Sequence, residues 1–493
     1  MTEDPVRKPA SQAVIQALAA HSAIGLSFAA LIYLLAVSGV VSLFNHELQR
    51  WEQPAVPEMT AIDPAAAAWG AAEVLAGEDG RSTHLYVRLP APDLPRTVVT
   101  TDTRAFFLDA EGRIAGAESF PWTQFILDLH YYLHLPKTVG LTVVGFAGAM
   151  LLGLTLSGLL AHRRIFRGAF RLRRGAGLLP RVDLHNRLAV WTAPFHVIVA
   201  LTGAVLGLAT VLAFALAERN YAGDTAAVWA PVFGPEHPVD LAPAALADLE
   251  SPLRQMGERF PGVQPDLLVV HDPATAGQSV TIVGRHPSRL IFGEYYHFDA
   301  AGRFEGTGGL ADGTASQQVA ASVYGAHFGN WGGLPVKLAY AVLGLALAVV
   351  VAVGPGIYLA RRREQGRGAA RLEAVWAGVT WGAPASLAFA LLAAVLGVSS
   401  GGALTAIFWS TLFGGLVLGG ACRDPALVRR AGATLGGAAL VAAVLAHGAI
   451  HFDAYGPGFT LAVSCALLLA GLGLAAAGRP SRPAPLSLAA TTG

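Results

Sequence analysis

The chain has 493 residues, 54% of them hydrophobic and 14% charged, with a formal net charge of +1. Soluble domains carry about 25% charged residues, so this composition describes an integral membrane protein, and the near-zero charge excludes nucleic acid as a partner. The only two cysteines, Cys422 and Cys465, lie in or beside apolar C-terminal segments, which excludes a thiolate metal cluster and a disulfide framework.

From the N-terminus, MTEDPVRKPASQAVIQALAAHSAIG leads into an apolar run too long for a signal-peptide core, with no small-residue cleavage site after it. It reads as an uncleaved first span. Eight segments approach the ~20 residues that cross a bilayer, at roughly 22–44, 138–160, 188–212, 334–359, 375–397, 402–420, 431–450 and 457–477. The loops HRRIFRGAFRLRRG, ARRREQGRGAAR and CRDPALVRRAG follow spans two, four and six. Arg and Lys concentrate on the cytoplasmic side, which predicts cytoplasmic termini in a multi-pass membrane protein. The long loops then face outward. The expected division is a cytoplasmic N-terminus with span one (1–44), an outer module (45–137), spans two and three with a basic loop (138–212), a second outer module (213–333), span four (334–365) and a four-span C-terminal extension (366–493).

The outer segments resemble each other. Each reads as a helix followed by short alternating strands, and each closes with a hairpin turn, Asp109-Ala-Glu-Gly or Asp299-Ala-Ala-Gly, in which Gly supplies the positive φ. The spans repeat as well. His21 precedes Ser38-Gly39 by the same spacing as His185 precedes Thr202-Gly203, and His130 and His327 fall within one residue of equivalence when counted back from Gly158 and Gly356. The predicted fold is an all-α polytopic bundle of about eight spans, a duplicated 2+2 core plus four C-terminal helices, with two small α+β modules.

The repeat puts His21 and His185 at the cytoplasmic ends of spans one and three, and His130 and His327 at the outer ends of spans two and four. Neutral imidazole ligates iron, and two helices each offering an inward histidine can clamp a haem b in a bundle. His134 shares a face with His130, His196 lies about 16 Å along from His185, and His162 ends span two. Each is an alternative or additional ligand, although His162 beside Arg163 and Arg164 reads as a headgroup-facing residue. His447, His451, His84, His237, His271, His286 and His297 have no repeated placement and read as interfacial or surface residues. Glu47 reads either as an interfacial charge beside the anchor Trp51 or as a polar partner for the outer histidine region. There is no H-E-x-x-H, Walker A or G-x-S-x-G in strand–turn–helix context, and the first four spans hold no carboxylate of the kind ion-coupled transporters bury.

Four stretches, HSAIGLSFAALIYLLAVSGVVSLFNHELQRWEQP, LHYYLHLPKTVG…LSGLLAHRRIFRGAFRLRRG, RVDLHNRLAVWTAPFHVIVALTGAV and HFGNWGGLPVKLAYAVLGLAL…RRR, resemble the PepSY-associated transmembrane helix family over about residues 15–365. That family includes iron-regulated inner-membrane proteins and siderophore-iron reductases. The resemblance implies a bacterial inner-membrane protein in which His21, His130, His185 and His327 bind two b-type haems, with His134 and His196 matching a histidine-richer subgroup. It also implies outer PepSY-like modules and a ferric siderophore or chelate as acceptor. No flavin or NAD(P)H fingerprint is present, so the donor would be quinol or a separate reductase. The rival functions are a regulatory PepSY-type binding protein without redox activity and an iron-chelate transporter.

Overall fold

The computed structural model describes residues 11–161, 173, 175, 177–234, 239–286, 289–308, 313–455 and 458–479. His162, His237 and most of the basic loop after span two lie outside the described residues. In chain order the elements are α1 (Gln12–Ser42), α2 (Asn45–Glu52), α3 (Pro64–Ala76), β1 (His84–Arg88), β2 (Thr97–Thr100), β3 (Ala105–Leu108), β4 (Ile114–Ala117), α4 (Pro121–Tyr132), α5 (Lys137–Ala161), α6 (Leu178–Trp191) and α7 (Ala193–Asn220). There follow α8 (Thr225–Phe233), α9 (Glu250–Arg259), β5 (Gln264–His271), β6 (Ser279–Arg285), β7 (Phe292–Phe298), β8 (Phe304–Thr307), α10 (Ala315–Phe328) and α11 (Gly333–Glu364). The last four helices are α12 (Ala370–Val395), α13 (Gly401–Cys422), α14 (Pro425–Ile450) and α15 (Phe459–Ala477).

Among the described residues, eight helices, α1, α5, α7 and α11 to α15, are long and apolar enough to span a bilayer. The chain is a multi-pass membrane protein. The third span is shorter at its start than the hydropathy predicts. Pro194 sits in the first turn of α7 and cannot donate a backbone hydrogen bond, so the helix breaks at Thr192. His185 therefore rides on a separate helix, α6. His130 and His327 also stand on short helices of their own, α4 and α10, rather than on the spans that follow. Leu133 in the left-handed region ends α4, and Gly329 at φ 63° ends α10.

The strands form one eight-stranded antiparallel sheet in the order β4-β3-β2-β1-β5-β6-β7-β8. The two modules read separately from the sequence are its halves, joined where β1 pairs with β5 in the register His84↔His271 to Arg88↔Leu267. Ala67, Ala71 and Val74 of α3, with Leu253 and Met256 of α9, cover one face over Leu85, Val87, Leu268, Val270 and Ile282. Both expected hairpin turns form. Asp109 Oδ1 accepts the amides of Glu111 and Arg113, and Asp299 Oδ1 those of Ala301 and Arg303, with Gly112 and Gly302 at positive φ.

Two compact units result, Met1–Pro355 and Gly356–Gly493. The boundary falls inside α11 at Pro355, which removes a hydrogen bond from the helix. In the second unit, α12 packs on α13 and α14, and α14 on α15. These contacts run through small residues such as Gly436 against Ala385 and Gly437 against Gly471, as expected where helices meet without a hydrophobic driving force.

Candidate functional site

The duplicated core brings its histidines together in pairs, one from each half. On the sheet side, the rings of His130 and His327 have centroids 6.2 Å apart with planes 26° apart. Toward the opposite end of the spans, the His21 and His185 centroids are also 6.2 Å apart, at 78°. His21 and Gly39, the residue beside His130, are eighteen positions apart on one helix, about 27 Å, close to the hydrocarbon thickness.

The same local device seats all four rings. The Nδ1 of His130 lies 3.2 Å from Ser38 Oγ, and that of His327 lies 3.1 Å from Thr202 Oγ1. His21 Nδ1 is 3.0 Å from the Leu154 carbonyl, with Ser157 Oγ at 3.4 Å, and His185 Nδ1 is 2.9 Å from the Val350 carbonyl. A glycine follows each hydroxyl. A Cβ on Gly39 would lie 2.7 Å from His130 Cε1, and one on Gly203 would lie 2.8 Å from His327 Cε1, so only glycine admits these rings. Gly158 faces His21 in the same way, and its structural counterpart opposite His185 is Gly354, not Gly356. The Ser-Gly and Thr-Gly pairs thus receive histidines from another helix, not the one that precedes them in sequence.

Between His130 and His327 opens a cavity of about 290 Å³. Its walls come from α1, α5, α7 and α11 and are nearly all apolar, with Tyr131, Tyr324 and Tyr340 as the polar exceptions besides Ser42 and the histidines. Burial lowers the basicity of both histidines, aided at His130 by the neighbouring His327, so both rings are neutral at pH 7. Neutral imidazole is the metal-binding form.

These observations fit a haem. Two imidazoles bound on opposite sides of one metal at about 2.0–2.1 Å have ring centres roughly 6 Å apart, which is the spacing of both pairs. In each ring Nδ1 has a protein partner, and such a partner orients an imidazole. Among the described residues no three His, Cys, Asp or Glu side chains cluster to hold a bare metal ion. A haem asks only two axial ligands of the protein.

A model of the PepSY-associated TM region matches residues 18–361. The chain belongs to this family. It is similar to the uncharacterized protein PA4219 of Pseudomonas aeruginosa, 30% identical over an aligned length of 387, with 72% of this chain and 97% of that one covered. The family match spans both histidine pairs and the whole sheet of this PepSY-associated protein.

Of the remaining sequence-derived candidates, His134 lies apart from the pairs, whereas His196 is within electrostatic reach of His185. His134 sits in the turn after α4 with Nε2 2.9 Å from the Phe125 carbonyl and its ring stacked on Phe125. It does not line the cavity. His196 is buried on α7, 2.8 Å from Thr192 Oγ1, next to the cavity-lining Phe195. Trp51 is fully buried and so is no interfacial anchor. Of the others, His286 bonds Glu294, and His447 is buried against Tyr455, which bonds Ser464.

Three positioning groups were not evident from the sequence. Glu52, at the end of α2, caps α4 by accepting hydrogen bonds from the amides of Trp122 and Thr123 and from the Thr123 hydroxyl. Burial pushes its carboxyl up to about 7 against those three bonds. Tyr340 donates a 2.8 Å hydrogen bond to the Ala326 carbonyl beside His327. Lys337, one turn from Tyr340 and 5% exposed at its side chain, pairs with Glu47 at 2.8 Å and Asp93 at 3.6 Å. Asp93 in turn meets His46 and Arg285. Burial alone would raise Asp93, but the His46 hydrogen bond and the charges of His46, Arg285 and Lys337 outweigh it and hold the carboxyl well below the usual carboxylate range. Glu47 thus pairs with a buried lysine and not with a histidine.

Proposed function

We propose that this protein carries electrons across the bacterial inner membrane through two b-type haems and delivers them to a ferric siderophore or chelate on the outer side. The observation that carries this reading is the pair of histidine pairs, each drawn from both halves of the duplication and separated by about the thickness of the hydrocarbon. When bound, haem supplies a one-electron carrier at each pair. His130 and His327 would hold the outer one, and His21 and His185 the inner one. Ser38, Thr202 and the Leu154 and Val350 carbonyls fix the imidazole orientations. The apolar cavity wall excludes water, so transfer needs little reorganisation of surroundings.

With the Arg-rich loops on the cytoplasmic side, the end of these spans opposite the sheet faces the cytoplasm in this reading. The described residues carry no nicotinamide fingerprint, so quinol or a separate reductase is the donor. At the acceptor, adding one electron converts Fe(III) to Fe(II), which siderophores hold less tightly because their donor oxygens favour the harder ion. The test is quinol-driven ferric chelate reduction in proteoliposomes. His130→Ala and His327→Ala should each abolish it while inserting normally. Full activity in both variants would remove the outer-site assignment.

A further inference from the structure

The two halves of the duplicated unit differ beside the outer histidine pair. The residue after the histidine is aromatic in both, Tyr131 and Phe328, but three residues before it stands Leu127 in the first half and Tyr324 in the second. In the second half an aromatic file runs outward from the pair. The rings of His327 and Phe328 are 5.5 Å apart, and Phe328 stacks on Tyr324 at 4.2 Å. Tyr295 on β7 packs against the cluster of Ile291 and Ala321, and Ala321 stands one turn from Tyr324 on α10. Tyr295 meets Phe233 at 5.3 Å, and Phe233 meets Trp229 at 5.6 Å. Gln317 ties α10 to α8 through the Pro231 carbonyl at 3.0 Å. The file ends at the surface, where Phe233 is 46% exposed.

A second, independent observation concerns charge. Residues 45–136 and 221–332, which build the sheet side, hold 25 acidic and 11 basic side chains, a formal charge of −14. The rest of the chain holds 8 acidic and 23 basic ones, or +15. Turn and helix caps explain where several of the aspartates sit, but not the excess. A field of this sign concentrates cations and repels anions at the sheet side.

Building on the redox reading above, we infer that electrons leave the His130–His327 site along Phe328, Tyr324, Tyr295, Phe233 and Trp229, and that a cationic ferric chelate docks on α8 at the exposed end of that file. Packed rings shorten the gap that an electron must cross without themselves changing oxidation state. A one-electron carrier held by His130 and His327 would supply the single electron that the chelated Fe(III) gains, with no proton transferred. The chelate's positive charge is complementary to the acidic sheet side, and its organic rim stacks on Trp229 and Phe233.

Two measurements on the full-length protein in lipid nanodiscs test this. The first needs no haem. Tryptophan emission is titrated with the gallium(III) complexes of a cationic trihydroxamate and of an anionic tricatecholate, gallium being redox-inert. The cationic complex should quench the wild type, Trp229→Phe should remove most of that quench, and raising salt from 20 to 500 mM should weaken binding at least tenfold. Tighter binding of the anionic complex, salt-independent binding, or no quench by either (the aromatic end being covered by lipid) would overturn the inference. In the second, dithionite-reduced protein is mixed with the matching ferric chelate. Phe233→Ala and Trp229→Leu should slow reoxidation at least tenfold with an unchanged haem spectrum and an unchanged rate toward benzoquinone. Wild-type rates in both variants would refute the exit route. A haem-free protein that still binds the cationic gallium complex would leave the docking site standing and remove the redox reading. A haem-loaded protein that binds neither complex would do the reverse.

Discussion

Replacing Glu52 with Gln tests how α4, and with it His130, is held. The carboxyl ends α2 and caps α4 through the amides of Trp122 and Thr123. Its ordinary value of 4.5 rises to about 7 because burial disfavours the charged form. The folded protein then binds a proton that the unfolded chain releases between those two values. Stability from this group is fully present below pH 4.5 and lost as pH rises through about 7. At 1.36 kcal/mol per pH unit, the full loss is about 3 kcal/mol. Glu52→Gln keeps an acceptor oxygen for the amides but cannot titrate. Unfolding free energy in mixed SDS micelles, followed by tryptophan emission from pH 5 to 8.5, should fall by up to that amount in the wild type and stay flatter in the variant. Equal slopes in the two proteins would refute the burial argument.

Three further outcomes are expected. Lys337→Met leaves the Glu47 and Asp93 carboxylates without their buried cation and should cost about 3–5 kcal/mol, part of which Glu47→Gln in the same chain restores; the same micelle titration reads both. Gly39→Ala and Gly203→Ala each drive a Cβ into a histidine ring, so haem retained per chain after purification should drop at least by half in either, whereas Gly356→Ala, which meets nothing within 4 Å, should keep the wild-type content. Trp51→Ala removes a fully buried indole and should lower stability by about 3–5 kcal/mol, where an interfacial residue would cost far less.

Much of this organisation was legible in the sequence, for identifiable reasons. Spans follow from apolar length, which side chains alone set, and all eight are present. The internal duplication and the hairpin turns at Asp109 and Asp299 were visible because glycine and aspartate at fixed offsets carry their own local geometry. The equivalence of His21 with His185 and of His130 with His327 survived because duplication preserves spacing. What spacing does not carry is which helix a residue faces. Ser38-Gly39 lies eighteen residues after His21 yet serves His130, ninety-two positions away. The fusion of two modules into one sheet depends on β1 pairing with β5 across some 180 residues, and no local pattern encodes that. Trp51 looked interfacial because a short polar helix after a span usually is. Tertiary packing against α4 overrode that expectation. The break at Thr192 was readable from Pro194, but hydropathy averaged over a window hides a single proline.

The central claim is that the two histidine pairs hold haem. It is tested most directly by a dithionite-reduced minus oxidised absorption spectrum of the purified protein from haem-replete cells, with haem quantified as the pyridine haemochrome. The account predicts a b-type spectrum with about two haems per chain, falling to about one in His130→Ala/His327→Ala and in His21→Ala/His185→Ala. A colourless wild-type protein, or full haem content in both double variants, would contradict it.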